Sequence, residues 1–294
     1  MVRILGILLV LSTTASAQLD RTTPLGFSEE RLARIDRVLQ QYVDEQQIAG
    51  AVALVLRDGQ VAYDRAVGWS DKEAGRKMTT DAISRIASQT KALTCVAIMM
   101  LVEEGKIDLG DPVSRYLPAF AKTTVAVKTD TRLAIVPAKR AITIRDLLTR
   151  TAGISYGTDS LVAPLYAAKE LGPAAGFGWY TADKTEAIGA TIDRLAALPF
   201  VAQPGEAFVY GYNTDILGYV VERVSGVTLD EFFRSRITDP LGMLDTSFFL
   251  PATKTPRLSS VRLWIGAQDH LLRQRAYEVE LGVGVRDLPA EEQL

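Results

Sequence analysis

The sequence predicts an α+β fold in which an antiparallel strand pair near the N-terminus precedes a mainly helical region. Apolar residues recur at helical spacing between Ser28 and Gln46, and acidic residues crowd the start of that segment. Two apolar runs then flank Asp58-Gly59, which is a strong hairpin signal, and predict a strand pair over Ala51–Val67. From Ala82 to Ile237, helical patterns dominate and strand signals are few.

The helical region contains several helix start and stop signals. Ser88–Glu104 is rich in Ala, Leu, Met and Val and is followed by Gly105, which predicts a mostly buried helix with a glycine at its end. Capping boxes and periodicity predict further helices opening at Thr143–Asp146, covering Thr181–Leu198, covering Thr214–Ser225 with Gly226 as C-cap, and opening at Thr228–Glu231.

The first segment, Met1 to Ala17, has the order of a secretory signal peptide. Arg3 precedes an apolar run from Ile4 to Leu11, and Ala15-Ser16-Ala17 supplies a small-residue cleavage site. The run is too short for a transmembrane helix, which needs about 20 apolar residues, and we expect no membrane span later in the chain. The sequence therefore predicts a periplasmic or secreted protein; the alternative is a hydrophobic N-terminal helix of a cytosolic protein.

Residue counts exclude several kinds of site. One cysteine among 294 residues forms no internal disulfide and no Cys-rich zinc site. The single histidine, His270, excludes multi-His metal centres and is the one candidate for a Ser-His-Asp triad. With 33 basic and 35 acidic residues, the charge gives no reason to expect nucleic acid. We expect no metal and no cofactor.

The strongest chemical signal is Ser88-Gln89-Thr90-Lys91, the only S-x-x-K in the chain. It lies at the start of a predicted buried helix, where backbone N–H groups and the helix dipole favour negative charge. The i, i+3 spacing places Lys91 on the same face as Ser88, and a lysine enclosed by protein can act as a base for a serine nucleophile. Spacing alone leaves open that Ser88 is a helix cap and Lys91 is solvated.

This tetrapeptide matches the S-x-x-K of penicillin-recognising serine hydrolases. The surrounding sequence resembles the class C β-lactamase and related esterase branch over about residues 30 to 250. The resemblance implies a helical domain beside an antiparallel sheet and acyl-enzyme hydrolysis of a small-molecule ester, a β-lactam or a peptidoglycan-type substrate. The matching stretches, in family order, are SRIASQTKA, LVEEGKIDLGDPVSRYLP, ITIRDLLTRTAGISYG, QPGEAFVYGYNTDILGYVVERVSG and PLGMLDTSF.

The family places a tyrosine opposite the Ser-Lys pair, and alignment on Asp215–Gly218 puts Tyr210 in that position. The resemblance implies that Tyr210 takes the proton of Ser88 and returns it to the leaving group, because a phenol near a cation ionises more easily. The alternative is that Tyr210 only packs against the loop. Two positions further on stands Tyr212 rather than the family's Asn, so Asn213 becomes the candidate for contact with substrate; it could instead cap the following helix.

Two other residues could be mistaken for the nucleophile. Ser155 lies in a G-x-S-x-G segment, but such an elbow needs a preceding strand and a His partner, and here a short helix precedes it. Cys95 lies inside the predicted buried helix, where a lone cysteine is expected to be a small core residue.

The third family motif, a K-T-G, H-x-G or W-G-G triplet, is not found; Trp264-Ile265-Gly266 follows Tyr210 too closely. The family pattern stops at about Leu250. We therefore predict a signal peptide over residues 1–17, an incomplete hydrolase domain over 18–250 and an atypical tail over 251–294, with the C-terminal strands of the sheet missing through truncation or a frameshift near residue 255. Two alternatives to an esterase or β-lactamase remain: a D-alanyl-D-alanine carboxypeptidase or endopeptidase, and an inactive remnant.

Overall fold

The computed structural model of the chain describes residues 25–84, 86–129, 133–172 and 186–248. The predicted signal peptide and the predicted tail of residues 251–294 lie outside these ranges. The chain divides into two units, one ending at Ala82 and the other beginning at Ile83.

In its described part, from residue 25 onward, the first unit contains a helix and a three-stranded antiparallel sheet in the order β1-β2-β3. Ser28 caps helix α1 by accepting a hydrogen bond from the backbone N–H of Arg31, and Asp58 and Gly59 both have positive φ in the hairpin turn. The predicted first helix and the predicted hairpin are therefore confirmed. The elements are α1 (Glu29–Asp44), β1 (Gly50–Arg57), β2 (Gln60–Asp71) and β3 (Arg76–Lys77).

The second unit is mainly helical, and the helix ends that have capping signals follow the prediction. The predicted Thr181–Leu198 helix is shorter: α5 begins at Ile188 and ends at Ala196, and residues 181–185 lie outside the described ranges. Thr143 and Asp146 form a complete capping box at the start of α3, and Gly226 ends α6 with a φ of 77°. Thr228 caps α7 through the backbone N–H of Glu231. The helices are α2 (Thr90–Glu103), α3 (Ile144–Leu148), α4 (Ala163–Ala167), α5 (Ile188–Ala196), α6 (Asn213–Ser225) and α7 (Leu229–Phe233), which continues into a π-helical turn at Arg234–Thr238.

The second unit also contains a small sheet that the sequence analysis did not predict. Strand β4 (Thr124–Lys128) pairs antiparallel with β5 (Leu133–Pro137) and parallel with β6 (Pro199–Phe200). These three short strands are few, as expected between Ala82 and Ile237, but their positions were not predicted. The alternating Thr-Val-Ala-Val-Lys pattern of β4 is its signal, but each strand is only two to five residues long, so its pairing depends on tertiary contacts.

The core of the second unit fixes the helix that carries the S-x-x-K motif. Helices α2 and α6 pack against each other, and α3 and α5 pack on α6. Ile98 and Leu101 of α2 and Ile216 and Leu217 of α6 have no exposed surface. Full burial of each such side chain contributes about 1.5–3 kcal/mol to the free energy of unfolding. The packed pair of α2 and α6 therefore fixes the positions of the start of α2 and of the loop that leads into α6.

Candidate active site

Ser88 lies in a short 3-10 turn, Ala87–Gln89, that leads directly into α2. The side chain of Ser88 is exposed, and Ala87 before it has a φ of 42°, an uncommon conformation for a residue with a Cβ. Lys91, in the first turn of α2, is 5% exposed, and its Nζ donates a hydrogen bond of 3.1 Å to Ser88 Oγ. The i, i+3 spacing therefore brings a buried amine to an accessible hydroxyl.

Tyr210 reaches the same hydroxyl from the loop that precedes α6. Its OH donates a hydrogen bond of 2.9 Å to Ser88 Oγ, across 122 positions of sequence. Lys91 Nζ lies 5.1 Å from the centroid of the Tyr210 ring. The structure thus brings together Ser88, Lys91 and Tyr210, the three residues predicted as catalytic, with the serine oxygen accepting from both partners.

The charges around Tyr210 favour its ionised form. Partial burial raises the pKa of Tyr210, but hydrogen bonds with Ser88 and Lys91 and the positive charges of Lys91 and Arg150 outweigh it, so the pKa is lowered from its usual value of 10. At a given pH, Tyr210 therefore has a larger phenolate fraction than an ordinary tyrosine.

Two further aromatic side chains, Tyr156 and Tyr212, pack beside the Ser88, Lys91 and Tyr210 cluster. The Tyr156 ring packs edge-on against Tyr210, with centroids 5.6 Å apart, and against Tyr212, with centroids 4.8 Å apart. Lys91 Nζ lies 5.9 Å from the Tyr156 centroid, and Tyr212 OH accepts a hydrogen bond of 3.0 Å from Gly172 N. Sequence reasoning missed Tyr156; the available signal was its place in the family-like stretch ITIRDLLTRTAGISYG.

The backbone behind Tyr210 is tightly packed against the Ile154–Ser155 segment. A Cβ on Gly211 would lie 2.1 Å from the carbonyl oxygen of Ile154, so only glycine fits there. Asn213 secures the same contact, because its Nδ2 donates to the carbonyl oxygens of Ile154 at 3.2 Å and Val209 at 3.1 Å.

The position of Asn213 differs from the prediction that its side chain contacts substrate or caps α6. Its side chain has no exposed surface and makes no capping bond at the start of α6. Direct contact with substrate does not agree with this position, because the amide is enclosed and both of its N–H groups are used on backbone carbonyls. Its role in the described structure is to hold the loop that carries Tyr210.

The other nucleophile candidates are not placed for catalysis. Ser155 is 4% exposed, its Oγ accepts a hydrogen bond from Gly157 N, and the preceding regular element is helix α3. Cys95 is half-buried, and burial raises the pKa of its thiol against the opposing charges of Arg150 and Lys91. His270 and Trp264 lie outside the described residues.

In the described ranges, no three His, Cys, Asp or Glu side chains are grouped so that they could hold a metal ion. Over the same ranges, none of the helices combines the length and apolar character that a membrane crossing requires.

The Beta-lactamase family matches residues 35–280, which is most of the chain and continues beyond residue 250. Esterase EstB of Burkholderia gladioli is 33% identical over 279 residues, covering 94% of this chain and 66% of EstB. An Escherichia coli protein provisionally named D-alanyl-D-alanine carboxypeptidase is 31% identical over 232 residues, covering 76% of this chain and 48% of that protein.

The solved structure of EstCE1, a hydrolase with promiscuous acyltransferase activity, superposes with a TM-score of 0.63 at 30% identity, covering 76% of this chain and 55% of EstCE1. This chain spans about half the length of most curated relatives that it matches. Its helices, its antiparallel N-terminal sheet and its small mixed sheet fit the predicted α+β, β-lactamase/transpeptidase-like fold. With the family match over residues 35–280, this chain belongs to the β-lactamase family.

Proposed function

We propose that this chain is a periplasmic or secreted serine hydrolase that cleaves carboxylic esters through an acyl-enzyme on Ser88. The observation that carries the proposal is the convergence of Lys91 Nζ and Tyr210 OH on Ser88 Oγ, at 3.1 Å and 2.9 Å. A serine hydroxyl needs such partners, because it is a weak nucleophile at neutral pH.

The proposed reaction has two steps of the same form. Tyr210, as phenolate, takes the Ser88 proton while Oγ bonds to the ester carbonyl carbon; the bond to the alcohol oxygen then breaks, and the alcohol leaves with that proton. Water next attacks the acyl-enzyme, gives a proton to Tyr210 and releases the acid, and Ser88 recovers its proton. The ammonium of Lys91 stabilises the phenolate, and the Ser88 N–H serves as one oxyanion donor at the start of α2.

Two observations favour an ester over a β-lactam. The named relatives EstB and EstCE1 are an esterase and a hydrolase with acyltransferase activity. The position two residues after Tyr210 carries Tyr212, which is fully buried with its OH bonded to Gly172, so no amide side chain extends from that position toward the open side of Ser88.

The test uses purified chain with three substrates: 4-nitrophenyl butyrate, a chromogenic cephalosporin and a peptide ending in D-alanyl-D-alanine. We expect turnover of the ester and covalent labelling by a fluorescent fluorophosphonate, with both reduced about 10³-fold or more by Ser88→Ala. The matched control is Ser155→Ala, which removes a nearby buried hydroxyl and should keep most of the activity.

Each other outcome points to a different conclusion. Ester turnover unchanged by Ser88→Ala contradicts the nucleophile assignment. Release of D-alanine with no ester turnover favours the carboxypeptidase alternative, which the Escherichia coli relative supports. No turnover and no label favours an inactive remnant. For secretion, expression from residue 1 in a bacterial host should yield a periplasmic chain that begins at Gln18 by N-terminal sequencing; a cytoplasmic chain that retains Met1–Ala17 would contradict it.

A further inference from the structure

Arg150 has an unusual backbone at the end of α3. Its φ is 58°, in the left-handed region that few residues with a Cβ adopt. This conformation turns the chain so that the Arg150 carbonyl accepts a hydrogen bond of 2.8 Å from Val209 N. Val209 directly precedes Tyr210, and its own carbonyl accepts from Asn213 Nδ2. Both backbone polar groups of Val209 are therefore held, one of them by Arg150.

The Arg150 side chain then extends over Tyr210. Its Cζ lies 5.5 Å from the Tyr210 ring centroid, within the range of a cation–π contact. Its Nε is buried and has no hydrogen-bond partner, and Arg150 forms no ion pair with any residue in the described ranges. A buried guanidinium N–H without a partner is costly, so a stable structure keeps one only where something else compensates.

The charged and titratable groups that face Tyr210 come from three elements. Lys91 and Ser88 come from the start of α2, Arg150 from the end of α3, and Tyr156 from the loop after it. Cys95, one turn after Lys91, interacts electrostatically with Lys91 and Arg150. None of the charges that act on Tyr210 among the described residues is a carboxylate, so the positive charge of Arg150 is not neutralised there.

We propose that Arg150 is a positioning residue for the Ser88 site: its carbonyl fixes the chain before Tyr210, and its guanidinium stabilises the phenolate form of that tyrosine. The inference rests on the proposed function only in that Tyr210 acts there as the base. The electrostatic part holds whether or not the chain turns over an ester.

The experiment measures the ionisation of Tyr210 directly. The chain is labelled with tyrosine carrying ¹³C at Cζ, and Tyr210→Phe identifies the resonance, which is then titrated in wild type and variants by NMR. Arg150→Asn removes the charge and suits the left-handed backbone, while Arg150→Met removes the charge and keeps the reach of the side chain. Arg150→Lys restores a charge, and Arg145→Gln is the matched control, since Arg145 is an exposed cation on the same helix.

We expect the pKa of Tyr210 to rise by about 1 unit in both neutral variants, which is the order expected for one charge at this distance partly screened by water. Arg150→Lys should recover most of the shift, and Arg145→Gln should show none. The acidic limb of kcat/KM for 4-nitrophenyl butyrate should move to higher pH by the same amount. A folded Asn or Met variant with an unchanged Tyr210 titration overturns the inference. An inactive wild type with the expected NMR shifts overturns the proposed function and leaves the electrostatic inference standing.

Discussion

The buried amide of Asn213 should be worth more to stability than any surface contact on α6. Its Nδ2 bonds the carbonyls of Ile154 and Val209 inside the protein. Replacement by alanine leaves both acceptors without that donor. Each unsatisfied buried group costs about 1–3 kcal/mol, and partial rearrangement brings the expected loss for Asn213→Ala to about 2–4 kcal/mol of the free energy of unfolding. At about 2–4 °C per kcal/mol for a chain of this size, Tm should fall by roughly 4–16 °C.

The assay is urea unfolding followed by circular dichroism, with ester turnover measured on the same samples. Arg223→Ala is the control, because Arg223 is exposed on the same helix and should change stability by less than about 0.5 kcal/mol. Asn213→Asp keeps the shape of the side chain but replaces the donating N–H groups with a carboxylate oxygen, which faces the carbonyl oxygens of Ile154 and Val209. This variant should therefore lose at least as much stability as the alanine variant. An alanine variant as stable as wild type, with full turnover, would refute the reasoning that this amide holds the Tyr210 loop.

Three further changes have distinct expected outcomes. Tyr210→Phe should lower kcat for a nitrophenyl ester by about 10²–10⁴-fold with little change in urea midpoint, and a fully active Phe variant would exclude the phenol from proton transfer. Leu101→Ala should cost about 2–5 kcal/mol in urea unfolding, because Leu101 is fully buried in the core; a loss below 1 kcal/mol would show that the core there is loosely packed. Burial raises the pKa of Asp146, but hydrogen bonds from Arg140 and Thr143 outweigh it and hold the pKa below its usual range. The stability from Asp146 is therefore present above about pH 4 and lost as pH falls through the lowered pKa. The urea midpoint of Asp146→Asn should be lower than wild type at pH 7 and fall less between pH 5 and pH 2, and parallel curves would contradict this.

Local sequence signals predicted the elements whose stability is local. The helix starting at Ser28, the hairpin at Asp58-Gly59 and the Gly226 cap each depend on residues within one turn of one another. The Ser88 and Lys91 pair is also local, since a spacing of three positions, from the 3-10 turn at Ala87–Gln89 into the first turn of α2, fixes its geometry. Tyr210 was found through resemblance to a family rather than through any local rule.

What the sequence could not reveal depends on contacts between distant segments. Strand β4 pairs with β6 across more than seventy residues, and nothing local encodes that pairing. Asn213 was predicted to contact substrate because it directly follows Tyr212, the position at which the family has its Asn, whereas the environment of Asn213 is set by Ile154, almost sixty positions away. Arg150 was not identified from the sequence, because its proposed role depends on its positive backbone φ and on its contact with the Tyr210 ring.

The two hydrogen bonds that Ser88 Oγ accepts have a consequence for its resting state. An sp³ hydroxyl oxygen has two lone pairs, and Lys91 and Tyr210 occupy both. As long as Tyr210 keeps its proton, the serine has no lone pair left for a carbonyl carbon and no acceptor in Tyr210 for its own hydrogen. Loss of that one proton removes both obstacles together: it exposes a lone pair on the serine and creates the acceptor beside it. In the proposed mechanism, a single ionisation of Tyr210 therefore starts the reaction, and the protonated phenol that later acts as the base keeps Ser88 unreactive until then.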